Sequence, residues 1–378
     1  MKRNCFLLQL LLTLILTACV PQTLSTTNPA TSTPEKSLPD TEVPSDTTFM
    51  TIVDVLSREV TLSATPQRIV LPGREIFMVA DAAYLFPDAL EKITGLSDAG
   101  QGTANFIELI DPNYEKKAIL EIDSDAEQIA ALQPDLILLK SDLAESVGAP
   151  IEAMGIPVVY VDFETPDQYP RDLAILGQVF GDEPRAIEVA SYFQTKVYEI
   201  SQTVKDAPRP RVLILSCAES DGNKVFYVPL MNSMQTQIVK LAGGEPVWEG
   251  ANPALGWTQV TLQQVAEWDA DQIFIISYEN NSSEVAAGLR VDPNWSAIRA
   301  VKDGKLYGFA ADLYSWDQPD PRWILGLAWL AGKLHPDLFL TVDISTEAQI
   351  FYQTLYGLDK NFFEHNILPT FNGDLPRG

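Results

Sequence analysis

A chain of 378 residues, 46% of them hydrophobic, can bury two sizeable cores, and its length fits two to three domains. Its formal charge of −25, from 26 basic and 51 acidic residues, argues against a nucleic-acid partner, because phosphate binding needs clustered lysine and arginine. Acidity of this size is first a solubility feature, and a pocket can still carry the opposite local sign.

Lys2 and Arg3 precede an apolar run from Phe6 to Leu16, which is short for a membrane span and has the layout of a secretory signal. The run ends in Leu16-Thr17-Ala18-Cys19, which resembles a bacterial lipobox. That resemblance implies acylation at Cys19 and a lipid-anchored position on the extracytoplasmic face; the alternative is an ordinary signal with a chance cysteine. Residues 19–48 are rich in Pro, Ser, Thr and Asp and poor in large apolar groups, so they read as a tether that cannot order itself. With Cys5 in the signal and Cys19 acylated, Cys217 has no partner for an intramolecular disulfide and reads as a small buried residue beside a strand.

The first lobe begins near Phe49. Thr51 to Val60 reads as a hairpin around Ser57-Arg58, and Ile69-Val70-Leu71 as a short buried strand followed by Pro72-Gly73-Arg74 and a helical run through Phe86. Asp123-Ser124-Asp125 offers a cap for a helix from Ala126 to Leu132. Leu136 to Leu139 and Val158 to Val161 are continuous apolar runs, as expected of strands covered on both faces.

From Asp182 to Asp206 the pattern changes. Ile187, Ala190, Phe193, Val197, Ile200 and Val204 recur at steps of three and four, Pro184 suits a first turn, and Pro208 and Pro210 end the run. A helix of this length is a rod of roughly 35 Å. The chain then repeats its first order: a strand at Val212–Leu215, a helix from Met234 to Ala242 stopped by Gly243-Gly244, a short helix capped by Thr261, and a strand at Ile273–Ile276. Ile298–Ala300 and Lys305–Gly308 close the set, and Asp320–Leu334 and Thr346–Tyr356 read as further helices. The expected fold is α/β: two Rossmann-like lobes with parallel sheets, joined by a single long backbone helix. The expected division is 1–18 signal, 19–48 tether, 49–166 first lobe, 167–208 connecting helices, 209–366 second lobe and 367–378 tail. Ligands in such sheets sit beyond the carboxyl ends of the strands, which points to a cleft between the lobes.

Several segments in this order carry a resemblance. Arg58-Glu59-Val60-Thr61, Pro66-Gln67-Arg68-Ile69-Val70, Ile122-Asp123, Gln133-Pro134-Asp135-Leu136-Ile137, Ala242-Gly243-Gly244, Trp268-Asp269-Ala270-Asp271 and Asp292-Pro293-Asn294-Trp295 resemble the substrate-binding proteins of ABC transporters that carry iron–siderophore, heme and cobalamin. The resemblance spans about residues 50–360. It implies a monomeric receptor that passes a small molecule to permease and ATPase subunits and performs no chemistry on it. Members often dock through one glutamate on each lobe; the matching positions here are Glu127 and Gln263, so half of that pair is uncharged. Relatives that hold bare zinc or manganese use several histidines, whereas this chain has only His335 and His365, near helix ends. No resident cofactor or bare metal is expected.

The strand-end loops supply the candidate ligand residues. Gly73 permits close backbone approach, and Arg74 can grip a carboxylate, hydroxamate or oxyanion, or else pair with a nearby acid. In the second lobe Tyr227, Trp248, Trp257, Tyr278, Tyr314 and Trp316 suit a large, partly apolar ligand; the alternative for each is core packing. The expected cargo is a metal chelate, foremost a ferric siderophore, with a molybdate-like oxyanion, heme or cobalamin as alternatives. An exported α/β enzyme is the reading of another class, and the sequence lacks a nucleophile elbow or phosphate loop to support it.

Overall fold

The computed structural model describes residues 49–98, 100–102, 105–220, 222–250 and 256–375. The signal, the tether and Cys19 lie outside the described residues.

The chain enters through an antiparallel hairpin of β1 (Met50–Val53) and β2 (Glu59–Leu62), with Ser57 at φ 62° in its turn. The first lobe then lays down β3 (Ile69–Leu71), β4 (Ile93–Ser97), β5 (Ala118–Leu120), β6 (Leu136–Lys140) and β7 (Val158–Val161). Among the described residues these form one parallel sheet in the order β5-β4-β3-β6-β7. The order reverses at β3, so its carboxyl end beside that of β6 is the place where such a sheet opens a crevice.

The second lobe contains β8 (Arg211–Ser220), β9 (Asn223–Val228), β10 (Glu245–Pro246), β11 (Thr258–Val260), β12 (Gln272–Ile276) and β13 (Leu306–Gly308). Strands β10, β8, β12 and β13 run parallel and mirror β4, β3, β6 and β7. These four are the parallel strands expected of the second lobe; two further strands run the other way, β9 pairing antiparallel with β8 and β11 with β9. Strand β8 runs on through Ser220 and hairpins straight back instead of crossing over.

The duplication extends to side chains. The Asp135 carboxylate accepts from the backbone N–H groups of Gln67 and Arg68, and the Asp271 carboxylate accepts from that of Arg211. In each lobe the arginine side chain donates to the end of the short helix that leads into β6 or β12, Arg68 to Leu132 and Gln133 and Arg211 to Trp268. Those helices, Ala126–Ala130 and Leu262–Glu267, both open with a capping box, Asp125 with Gln128 and Thr261 with Gln264.

Helix Glu183–Val204 is the unbroken rod expected between the lobes, capped by the Asp182 carboxylate on the Arg185 N–H. Its buried face is turned from the expected one. Ala186, Val189, Phe193, Ile200 and Val204 point inward, and Ile187 is 71% exposed. The cause is close approach to helix Tyr169–Phe180, where a Cβ on Gly177 would stand 2.7 Å from that of Ala186. Arg185 donates to Leu85 O of the first lobe and to Leu355 O of helix Ile344–Tyr356, and Lys196 pairs with Glu347 at 2.7 Å.

Beneath the crevice the two lobes share one continuous apolar core. At its centre lies the fully buried guanidinium of Arg322, which reaches Asp81 of the first lobe at 2.5 Å and Asp312 and Asp320 of the second at 3.1 and 3.4 Å. Tyr352 accepts from Arg322 Nε at 2.9 Å and donates to Asp312; Tyr356 donates to the Asp81 carbonyl; Tyr314 and Phe106 stack over the guanidinium. One cation faces three carboxylates here. Burial, only partly offset by Arg322, pushes Asp81 up to about 6 and Asp320 up to about 8. Carboxyls raised in the folded state contribute stability that is complete below the ordinary carboxylate range and is lost as pH rises through their folded values. Stability is therefore expected to fall from roughly pH 5 to roughly pH 8, by several kcal/mol. Urea unfolding at both pH values checks this, and Asp320→Asn is expected to remove most of the slope.

Candidate functional site

The carboxyl ends of β3 and β7 and the loops after β9 and β12 face one another across a cavity of about 460 Å³. The first lobe contributes Glu75, Met78, Gln101 and Glu164. The second contributes Leu230, Ser233, Gln235, Trp257, Tyr278 and Gln318. A second cavity of about 450 Å³ adjoins it, sharing Gln101, Tyr278 and Gln318 and closed on its far side by Phe371 and Asn372. The tail segment forming that wall is docked: Asn372 pairs with Ala311, and Asp374 accepts from the Gly308 N–H.

The first-lobe side is built under strain. Gly73 sits at φ 102° and donates its N–H to Ser97 at 2.9 Å, and a side chain there would strike Leu143. Glu75 follows at φ 55°, and Phe163, just before Glu164, at φ 58°. Positive φ at residues other than glycine is uncommon and clusters at ligand sites. Between the two glutamates stands Lys140, at the end of β6 with its side chain 6% exposed; it is paired with Glu164 and lies 3.6 Å from Glu75. Burial lowers the ammonium, but Glu164 and Glu75 outweigh it, and Lys140 stays charged with its pKa above the ordinary lysine value.

The second-lobe floor centres on Asp317, fully buried, which accepts from Gln235 Nε2 at 3.0 Å, Tyr278 Oη at 2.8 Å and Ser315 Oγ at 2.5 Å. Burial raises the Asp317 carboxyl despite these donors, and burial beside Asp317 raises the Tyr278 hydroxyl well above its usual value. Trp257 stands against Tyr278 with ring centroids 6.4 Å apart and is 36% exposed. Gln101 of the first lobe donates a short hydrogen bond to Gln318 of the second, bridging the crevice.

The expected aromatic and arginine ligand residues separate into four groups. Trp257 and Tyr278 line the cavity, and Tyr314 lines the adjoining one while stacking on Phe77 of the first lobe at 4.7 Å. Trp248 and Trp316 are core residues: neither has exposed surface, Trp248 donates to Pro229 O, and Trp316 packs on Phe371. Tyr227 lies within β9 and not in a strand-end loop. Arg74 turns outward, its side chain 59% exposed and paired with Asp142 at 2.8 Å. The polar cleft residues Glu75, Gln101, Lys140, Glu164, Asp317 and Gln318 were not anticipated. The usable signal was Lys140, a charge closing the apolar run Leu136–Leu139 at a strand's carboxyl end.

Glu127 and Gln263 occupy the same second position of the two duplicated short helices, and both are exposed. Gln263 donates to Glu267 at 2.8 Å, so a carboxylate sits one turn further on. Cys217 is buried in β8, where burial pushes its thiol up to about 11.

Residues 90–313 match the periplasmic binding protein family. The molybdate-binding protein MolA of Haemophilus influenzae is 25% identical over 328 residues, covering 81% of this chain and 90% of that protein. The vitamin B12-binding protein of Pectobacterium atrosepticum is 28% identical over 152 residues, covering 39% of this chain and 53% of that protein. In fold, the solved structure of the Haemophilus MolA with molybdate, the binding protein of an ABC transporter, superposes with a TM-score of 0.67 at 22% identity over 82% of this chain and 98% of that one. Two facing α/β sheets on one rigid helix, a cleft at their carboxyl ends and this match make the chain a member of the periplasmic binding proteins, the extracytoplasmic solute receptors of ABC transporters.

Proposed function

We propose that the chain is a lipid-anchored receptor that captures a bulky metal chelate, foremost a ferric siderophore, in the inter-lobe cleft and delivers it to its permease. The supporting observation is the pair of adjoining cavities. Each falls within the roughly 300–1,000 Å³ of small-molecule sites, and together they far exceed the needs of a tetrahedral oxyanion. Trp257, partly exposed, and the more deeply set Tyr278 offer flat faces to the apolar part of a large ligand. In this reading Cys19 carries the acyl anchor and residues 19–48 hold the folded part off the membrane. Glu127 and Gln263, helped by Glu267, face the permease from matching positions on the two lobes.

A tetrahedral oxyanion is the second reading, favoured by similarity over most of the chain to a molybdate-binding protein. Calorimetric titration with ferrichrome, a neutral ferric trihydroxamate, tests the proposal. The expected result is saturable one-to-one binding; heat with molybdate and none with ferrichrome would favour the second reading.

A further inference from the structure

We infer that the cleft selects its cargo by charge, accepting cationic or neutral metal chelates and rejecting anionic chelates and free oxyanions. This rests on the cleft being the chelate site. Among the described residues, Glu75 and Glu164 line the inter-lobe cavity and Glu279 and Asp312 the adjoining one, and no Lys, Arg or His lines either. Two buried cations stand behind these acids: Lys140 is shared between Glu75 and Glu164, so that triad keeps a net negative charge, and Arg322 is shared among Asp312, Asp81 and Asp320. Arg74 stands outside the cavity on Asp142.

The hydrogen-bonding groups point the same way. Tyr278, Gln235 and Ser315 spend donors on the buried Asp317, and Gln101 spends one on Gln318. The amide and indole N–H groups left over, on Gln318 and Trp257 among them, are neutral donors, so the lining carboxylates set the sign of the charge a ligand meets. Such a surface suits an ammonium or amide N–H and disfavours carboxylate, catecholate or oxyanion oxygens, whose charge meets Glu75, Glu164 and Glu279 without a lining cation. The opposing feature is the start of helix Met234–Leu241, whose N-cap Ser233 makes no side-chain cap and lines the cavity. A helix end carries about half a positive charge, less than the carboxylates it faces. The strained backbone at Glu75 and Phe163 fits the same account, because the fold retains unfavourable φ angles where the two carboxylates are set.

The test is equilibrium binding of the intact chain to three ferric chelates of differing charge: cationic ferrioxamine B, neutral ferrichrome and anionic ferric enterobactin, with molybdate as the oxyanion. Ferrioxamine B and ferrichrome are expected to bind at least about tenfold more tightly than ferric enterobactin, with no molybdate binding. Added sodium chloride is expected to weaken ferrioxamine B and leave ferrichrome unchanged. These measurements need no variant. Glu75→Gln with Glu164→Gln, its fold verified by circular dichroism, is expected to narrow the preference by roughly tenfold as Lys140 loses both partners. Ferric enterobactin or molybdate binding as tightly as ferrioxamine B would overturn the charge selection, and ferrichrome binding alongside would leave the receptor reading standing. Failure of all four probes would overturn both.

Discussion

Exchanging Arg322 for methionine is expected to cost about 3–5 kcal/mol of folding stability, the usual penalty for stranding buried charge. The guanidinium has no exposed surface, and it is the group through which Asp81 of the first lobe meets Asp312 and Asp320 of the second. Methionine fills much of the volume but leaves three carboxylates and the Tyr352 hydroxyl around an uncharged thioether. Proton uptake can relieve part of the repulsion, so the loss should be larger at pH 8 than at pH 5, in line with the raised values of Asp81 and Asp320. Lysine is not an adequate substitute. Nε serves Tyr352 and Asp312 while Nη1 serves Asp81, a fork that one ammonium cannot reproduce. Urea unfolding measures the effect, and a loss under about 1 kcal/mol would mean that the cluster is held without its cation.

Gly326→Ala should reverse the ordinary rule for helices. In a helix interior this change usually gains about 1 kcal/mol. Gly326 lies in helix Trp323–Leu334 with the Trp316 carbonyl oxygen only 2.1 Å from where a Cβ would stand and the Trp316 carbonyl carbon at 2.9 Å. Both are backbone atoms of the segment that carries Tyr314 and Asp317 to the cleft, so neither can yield without moving the floor of the site. A loss of about 2–3 kcal/mol is expected from this overpacking, together with weaker chelate binding. Gly332→Ala in the same helix is the control. Its nearest neighbour is the Phe339 Cβ at 4.0 Å, and it should show the normal gain of up to about 1 kcal/mol. Thermal melts of the two variants give the comparison.

Much of the architecture was legible because the chain states it twice. Gln133-Pro134-Asp135 before β6 and Asp269-Ala270-Asp271 before β12 do the same work: each aspartate pins the backbone at the start of the neighbouring strand, and Gln133 and Asp269 both take positive φ. The long helix was legible from its period, and Ile187 misled because periodicity gives a stripe without saying where the neighbour comes closest. The hairpin of β8 and β9 was missed although Val225, Phe226, Tyr227 and Val228 are all β-branched or aromatic, the composition of a strand. Strand β4 interrupts its apolar run with Thr94 and Gly95, and β5 has only Leu120 buried, so pattern alone does not reveal them.

The site was less legible, for a physical reason. Aromatic residues in loops can face a cavity or a core, and only the fold decides. Trp257 reaches the cleft, whereas Trp248 finds Pro229 O to satisfy its N–H inside the lobe. The decisive polar groups are scattered singly over strand ends, from Glu75 to Gln318, and form a site only once two sheets face each other.

The central claim is that cargo sits in the gap between these sheets, against Trp257. Following tryptophan emission through the ferrichrome titration, in the native chain and in Trp257→Phe, tests it most directly. The account predicts quenching that saturates at one equivalent in the native protein and largely disappears in Trp257→Phe while the heat of binding persists. Heat of binding with no change in Trp257 emission would place the cargo elsewhere and contradict it.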